Sequence, residues 1–248
     1  MSLERLMQVP EQETKLRDDL TVLDLGILDY HKALDMQERL LELRNRNKIP
    51  DTVILLEHPH VYTLGKDVKE DEVSNLVKEK LDAEVIQVQR GGKITYHGPG
   101  QLVVYFICRM PFKNYGRFLT QVEEVGIAAL RAMHIEAYSR KEEIDPRYGT
   151  KGIKGAWYNL GGIPKKVVAQ GLEFRRSQRQ DKEDSMVVTM HGFAMNVNTD
   201  LVYFQKIHPC GFNYDVMSSM KEITGTEIDM EKVKSTVKDK LREKLVKW

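Results

Sequence analysis

An α/β domain built on a mixed β-sheet is the fold this 248-residue chain predicts, and three observations lead there. Apolar runs of strand length, rich in β-branched residues, punctuate the chain; TVLDLGIL (21–28), TVILLE (52–57) and LVVYFICRM (102–110) are the clearest. Between and after them stand stretches whose apolar residues recur at helical spacing. The 41% hydrophobic content is enough for one sizeable core, and no repeat, low-complexity tract or long linker divides it. Strands and helices thus interleave in one unit over residues 20–248, preceded by a polar, unpatterned arm at 1–19.

The elements follow in order. After the 21–28 strand, Tyr30, Leu34, Gln37, Leu40 and Leu41 make the apolar stripe of a helix over 29–46. EVIQVQ (84–89) alternates like a strand, whereas 102–110 reads as a strand buried on both faces. Phe118, Val122, Val125, Ala129 and Met133 mark a second long helix. Residues 139–165 are polar with scattered glycines, KVVAQG is a short strand, and RRSQRQDKEDS (175–185) is a solvated connection between strands. MVVTMHGFAMNVN resumes strand character. Met230, Val233, Val237, Leu241 and Leu245 form a C-terminal helix, with Thr226 and Asp229 at capping-box spacing before it.

Charge and composition narrow the function classes. Thirty-eight Lys+Arg against 37 Asp+Glu leave a formal charge of +1, so nothing electrostatic points to nucleic acid. No apolar run approaches the roughly 20 residues needed to cross a bilayer, and the first residues are too charged for a secretory signal. A cytoplasmic protein follows, in which Cys108 and Cys210 both stay thiols. The histidines and cysteines show no metal-ligand spacing, which argues against a metal site.

RGGKITYHGPGQ (90–101) joins two strands and is neither a dinucleotide fingerprint nor a Walker-type phosphate loop, since it lacks both spacings. Either it is a well-formed hairpin, or its glycines let backbone lie against an apolar ligand while Arg90 or Lys93 holds an anionic tail. His97 and His191 both stand in Thr-x-His-Gly contexts, consistent with coincidence or with two backbone segments closing on one ligand. Cys210, in HPCGF, is either an inert buried thiol or a nucleophile whose pKa a nearby cation lowers. Cys108, inside an apolar run, reads as core. Lys166, at the head of KVVAQG, sits either at an exposed strand end or as a partly desolvated amine able to carry protons; Lys165 points to the opposite face.

Five segments together, EHPHVYTLGK, RGGKITYHGPGQLVVYF, GAWYN…KKVVAQG, TMHGFAMNVN and HPCG, resemble the lipoyl(octanoyl) transferases over about residues 20–220, in that family's order. The resemblance implies a catalytic domain like those of biotin and lipoate protein ligases. It implies transfer of octanoyl from acyl carrier protein to a lysine of the lipoyl domains of 2-oxo-acid dehydrogenase complexes, or of the glycine cleavage H protein, by a monomer without cofactor. The acyl-thioester cysteine falls on Cys210 and the lysine that assists it on Lys166. The acyl pocket falls on Arg90, Gly91, Gly92, Lys93, Ile94, Thr95, Tyr96 and His97, on Ala169, Gln170 and Gly171, and on Gly192, Phe193 and Ala194. The chain departs from the family pattern by the extra segment SQRQDKEDSMVV (177–188), by Ser218 where threonine is common, and at Gln170. An ATP-dependent lipoate or biotin ligase, a non-catalytic acyl-binding protein and a cysteine hydrolase using His97 or His191 are the competing readings.

Overall fold

The computed structural model describes residues 12–68, 83–140, 154–177, 185–209 and 213–246. A large mixed sheet runs through the molecule in the order β1 (Gln12–Arg17), β2 (Leu20–Ile27), β3 (Asp51–Glu57), β7 (Gln101–Ile107), β11 (Met186–Asn196), β10 (Ile163–Arg176) and β9 (Gly155–Leu160). The short β8 (Arg109–Pro111) also pairs with β11. β2 and β3 are parallel, as their helical crossover demands, and the other pairs are antiparallel. A second sheet of three strands has the order β5 (Glu84–Gln87), β4 (Val61–Leu64), β6 (Ile94–His97).

Helices cover both faces of the large sheet, which is why its central strands are apolar on both sides. Helix α1 (Tyr30–Asn45) packs Ala33, Met36 and Leu40 against Val103, Tyr105, Met190 and Ala194. On the opposite face α2 (Tyr115–Ala132) and, after the short α3 (Met220–Thr224), α4 (Met230–Lys244) place Phe118, Val122, Val233 and Val237 against Leu102, Val104, Phe106 and Met195. Asp29 caps α1 by accepting from the Lys32 N–H at 3.1 Å. No described helix is long and apolar enough to cross a membrane.

Several local expectations are corrected. Residues 12–17, read as part of a polar arm, form the edge strand β1; pairing with the apolar β2 supplies an order that their own polar sequence does not signal. KVVAQG is the middle of a 14-residue strand, and GAWYNL is its partner β9, the two joined by a turn at Gly161 and Gly162 with φ of 59° and 88°. Two positive φ values in a two-residue loop are the geometry whose twist suits a hairpin, and glycine meets it without strain. Arg175 and Arg176 belong to β10, whereas 178–184 lie outside the described residues. ITYH is the strand β6, where a glycine-rich connection was expected, because only its flanks carry the glycines. The cap of α4 is Asp229 itself, accepting from the Glu231 and Lys232 N–H groups at 2.9 and 3.4 Å; Thr226 stands outside it.

The small sheet and the segment after β11 share a core of their own. Tyr62, Leu64, Ile94 and Tyr96 pack with Phe204, Ile207 and Met217. Phe204 lies on a 3-10 turn (Leu201–Lys206), and Met217 directly follows a second one, Tyr214–Val216. Ile207 and Met217 are therefore anchored in one apolar cluster on either side, in sequence, of residues 210–212, which are outside the described residues.

Candidate active site

Between the α1 face of the large sheet and the Arg90–His97 segment lies a cleft of about 450 Å³, counting the open solvent at its mouth. Its walls come from β10 (Ala169, Gln170, Gly171) and from β11 (Gly192, Phe193, Ala194). Arg90, Thr95 and His97 close it from the small sheet, and Val103, Tyr105, Tyr30 and His191 complete it. Gly91, Gly92, Lys93, Ile94 and Tyr96 do not line it: Ile94 and Tyr96 are packed in the small sheet's core, and Gly91 donates its N–H to the Leu172 carbonyl.

Two glycines in its walls leave no room for a side chain. A Cβ on Gly192 would overlap the carbonyl oxygen of Val104, and one on Gly171 would come within 3.1 Å of the Gly91 carbonyl oxygen. These backbones can approach only because no side chain separates them. His97 and His191, in similar local sequences, do border one cavity.

Arg90 does not extend into solvent as an anion clamp. It is buried, and its guanidinium donates to the Thr63 carbonyl (2.9 Å), the Thr63 hydroxyl (2.7 Å) and the Gly91 carbonyl (3.1 Å). Buried charge needs such satisfaction, so Arg90 serves to tie the loop to β4.

Lys166 is 1% exposed, not placed at a frayed strand end. The register of β10 against β9 slips between Lys166 and Val168, a bulge that breaks strict alternation. Val167 and Val168 both enter the apolar core, while the Lys166 ammonium lies 5.4 Å from the centre of the buried Trp157 ring. Lys165, by contrast, is at the surface and donates to the Asp215 carbonyl. The Ser218 N–H donates to the Lys166 carbonyl at 3.0 Å, and Met217 forms a parallel bridge with Lys166. The chain that follows Cys210 is thus strapped to the lysine's own backbone; Cys210 itself and Gly211 are outside the described residues.

A run of buried hydrogen bonds joins the cleft to that strap. His97 Nδ1 meets the Gln101 side-chain oxygen at 2.7 Å, and Gln101 Nε2 donates to Asn196 Oδ1 at 2.9 Å. Asn196 Nδ2 then donates to the Ser218 carbonyl at 3.0 Å. Each member satisfies the next, so the network fixes these side chains relative to one another.

The cleft histidines His97 and His191, and His58 beside Tyr105, are held neutral. His58 Nδ1 donates to the Leu28 carbonyl (2.7 Å), leaving Nε2 to accept from the Tyr105 hydroxyl (2.8 Å). Burial lowers His58 to about 4 and, helped by the charge of Arg90, His191 to about 3; His97 is also lowered, burial again the main cause. Unfolding returns each to about 6.5, so below that value the unfolded chain binds more protons. Stability contributed this way is complete above pH 6.5 and is lost as pH falls toward 4, at about 1.4 kcal/mol per pH unit for each histidine. The urea midpoint should therefore drop steeply between pH 6.5 and 4.5, and more gently in His58→Gln. A midpoint flat over that interval would contradict the neutral assignment.

The sequence model described as "Lipoyl protein ligase A/B catalytic domain" matches residues 29–242, most of the chain. The chain belongs to this family. An octanoyltransferase from Syntrophotalea carbinolica is 36% identical over 234 residues, covering 92% of this chain and 96% of the relative. One from Rubrobacter xylanophilus is 37% identical over 225 residues, covering 89% and 90%. Among solved structures, a lipoate-protein ligase A bound with ATP superposes with a TM-score of 0.62 at 15% identity, covering 91% of this chain and 84% of that one. A putative lipoate protein ligase from T. acidophilum gives 0.60 at 16% identity, covering 88% and 83%. At such identities the likeness establishes the fold.

Within this family architecture, the place of three lining residues, Tyr30, Val103 and Tyr105, emerges only from packing, as does the hydrogen bond of His58 to Tyr105. The apolar stripe that contains Tyr30 was visible, but not that its aromatic end would face a cavity.

Proposed function

We propose that the protein is an acyltransferase that moves an octanoyl group from acyl carrier protein, through a thioester on Cys210, to a specific lysine of lipoyl domains. One observation carries the reading: in a chain whose relatives are octanoyltransferases, a glycine-walled cleft runs along the same strand that presents the buried Lys166. Ala169, the first cleft residue on β10, is three positions beyond Lys166. Octanoyl lies in the cleft, against backbone at Gly171 and Gly192.

The chemistry follows from bond types. The donor is already a thioester, so exchange onto a cysteine thiolate is close to isoenergetic and needs no ATP. The carrier thiol leaves, and the octanoyl carbonyl is bonded to the Cys210 sulfur. Attack by the acceptor lysine's neutral amine forms an amide and releases the thiolate, a downhill step. Lys166 as ammonium stabilises the thiolate, and as amine it takes the proton from the attacking nitrogen. The oxyanion requires N–H donors other than that of His191, which donates to Gln37 Oε1 at 2.8 Å.

A cluster of Arg175, Arg176 and Arg179 would suit an acidic carrier, but Arg175 is not free to serve it. Arg175 bridges Glu173 (2.7 Å) and Glu38 (2.5 Å), so its role is to join β10 to α1. Arg176 remains at the exposed end of β10, and Arg179 is outside the described residues.

The test is incubation with octanoyl-carrier protein, followed by a lipoyl domain, read by intact mass. An octanoyl adduct on the enzyme and then on the acceptor lysine is expected without ATP. Product from free octanoate and ATP alone would favour a ligase, and release of free octanoate despite acceptor would favour a hydrolase.

A further inference from the structure

Gln101 opens β7 and Asn196 closes β11, and the two are register partners on neighbouring strands. Each is only 1% exposed. Burying two amides at one strand pairing costs desolvation that two apolar side chains would avoid, and the backbone ladder would hold the strands equally well without them. Their use lies in what they reach beyond the ladder.

The hydrogen bonds they make run in one direction. Asn196 Nδ2 donates to the Ser218 carbonyl at 3.0 Å, so Oδ1 is the atom that faces Gln101 and accepts from its Nε2 at 2.9 Å. Gln101 Nε2 also donates to the Tyr96 carbonyl at 3.1 Å, which leaves Oε1 for His97 Nδ1 at 2.7 Å. On the neutral His97 ring Nδ1 therefore carries the proton and Nε2 is bare. At the far end the Ser218 N–H donates to the Lys166 carbonyl at 3.0 Å. One chain of donors and acceptors thus leads from an imidazole that lines the cleft to the backbone of Lys166.

Lys166 depends on its end of that chain. The register of β10 against β9 slips between Lys166 and Val168, so the ladder with β9 does not by itself set the lysine's direction. Met217 and Ser218 supply the second edge, through the parallel bridge and the hydrogen bond to the Lys166 carbonyl. The Ser218 hydroxyl is committed to Glu222 at 2.6 Å, and Asn196 holds the Ser218 carbonyl.

We propose that Asn196 is a positioning residue for Lys166: by holding the Ser218 peptide it fixes the bulge from which the lysine is aimed, and it ties that aim to the tautomer of His97 in the cleft. The proposal rests on the transferase reading and deepens it. Asn196 acts on the reaction through Ser218 and Lys166.

The experiment follows transfer from octanoyl-enzyme, prepared at high pH, to a lipoyl domain in a single turnover read by intact mass. In Asn196→Leu, similar in volume but without an amide, the maximal rate should fall about tenfold, while the acceptor concentration at half-maximal rate changes less than about twofold. In a Lys166→Met background the same substitution should add less than about twofold, since the aim of an absent amine has no effect. A merely structural role would give the same loss in both backgrounds; that result, or no loss with Lys166 present, overturns the proposal. Should Asn196→Leu not fold, the wild-type protein decides through the ring-nitrogen resonances of His97 read by NMR. A proton on Nδ1 with a bare Nε2 supports the chain, and the reverse tautomer breaks it at its first link and overturns the proposal. A wild-type protein that octanoyl-carrier protein does not acylate defeats the transferase reading and this inference together; wild-type transfer matched by Asn196→Leu defeats this inference alone.

Discussion

Cys210→Ser should leave no octanoyl thioester on the protein and slow transfer to a lipoyl domain at least about 1,000-fold. A thiolate is a strong nucleophile near neutral pH because a neighbouring cation can bring its pKa into range, whereas a hydroxyl beside the same cation stays protonated. The substitution changes one atom, so a folding defect is not expected, and a thermal midpoint within a few degrees of wild type is the control. Intact mass after incubation with octanoyl-carrier protein reads the adduct. A variant that still acylates the acceptor at near wild-type rate would show that the acyl group never passes through this sulfur, and would return the protein to the ligase class.

Lys166→Met is the second large effect. The methionine side chain is also unbranched and flexible, so it can follow the path of the lysine stem beside Trp157 while removing the amine. Transfer at neutral pH should fall about 100- to 10,000-fold, the range for a lost acid–base group. The two half-reactions should respond differently. Acyl-enzyme formation needs a thiolate, which rising pH supplies without Lys166, so that step should recover as pH increases. Amide formation also needs a proton acceptor at the attacking nitrogen and should recover less. Equal recovery of both steps would assign Lys166 to electrostatic support of the thiolate only. No loss at any pH would remove it from the chemistry.

Legibility of the fold tracked how local its signals were. The strands at 20–27, 51–57 and 101–107 and the helices at 30–45 and 115–132 were readable within about three residues, because an apolar run or a 3.6-residue period is written in adjacent positions. β1 was not readable, since QETKLR is ordered by its neighbour and not by its own propensity. β9 and the true length of β10 were missed although Gly161-Gly162 is a hairpin signal; the polar residues around it obscured the alternation. For the site, residue types pointed to Cys210, Lys166 and the glycine segments. They did not reveal that Arg90 would be consumed by Thr63 and Gly91, or that Arg175 would bridge two carboxylates.

What the sequence determined by itself is the alphabet of this protein: apolar periods that must become strands and helices around one core, and glycines at places where a Cβ has no room. The tertiary structure alone decided the pairings. A one-residue bulge between Lys166 and Val168, the strap from Ser218 to the Lys166 carbonyl, and the amide of Gln37 reaching His191 from another element are not encoded in any short window. Each arises because buried polar groups must find partners wherever packing brings them, and that choice is made only once the layers are in contact.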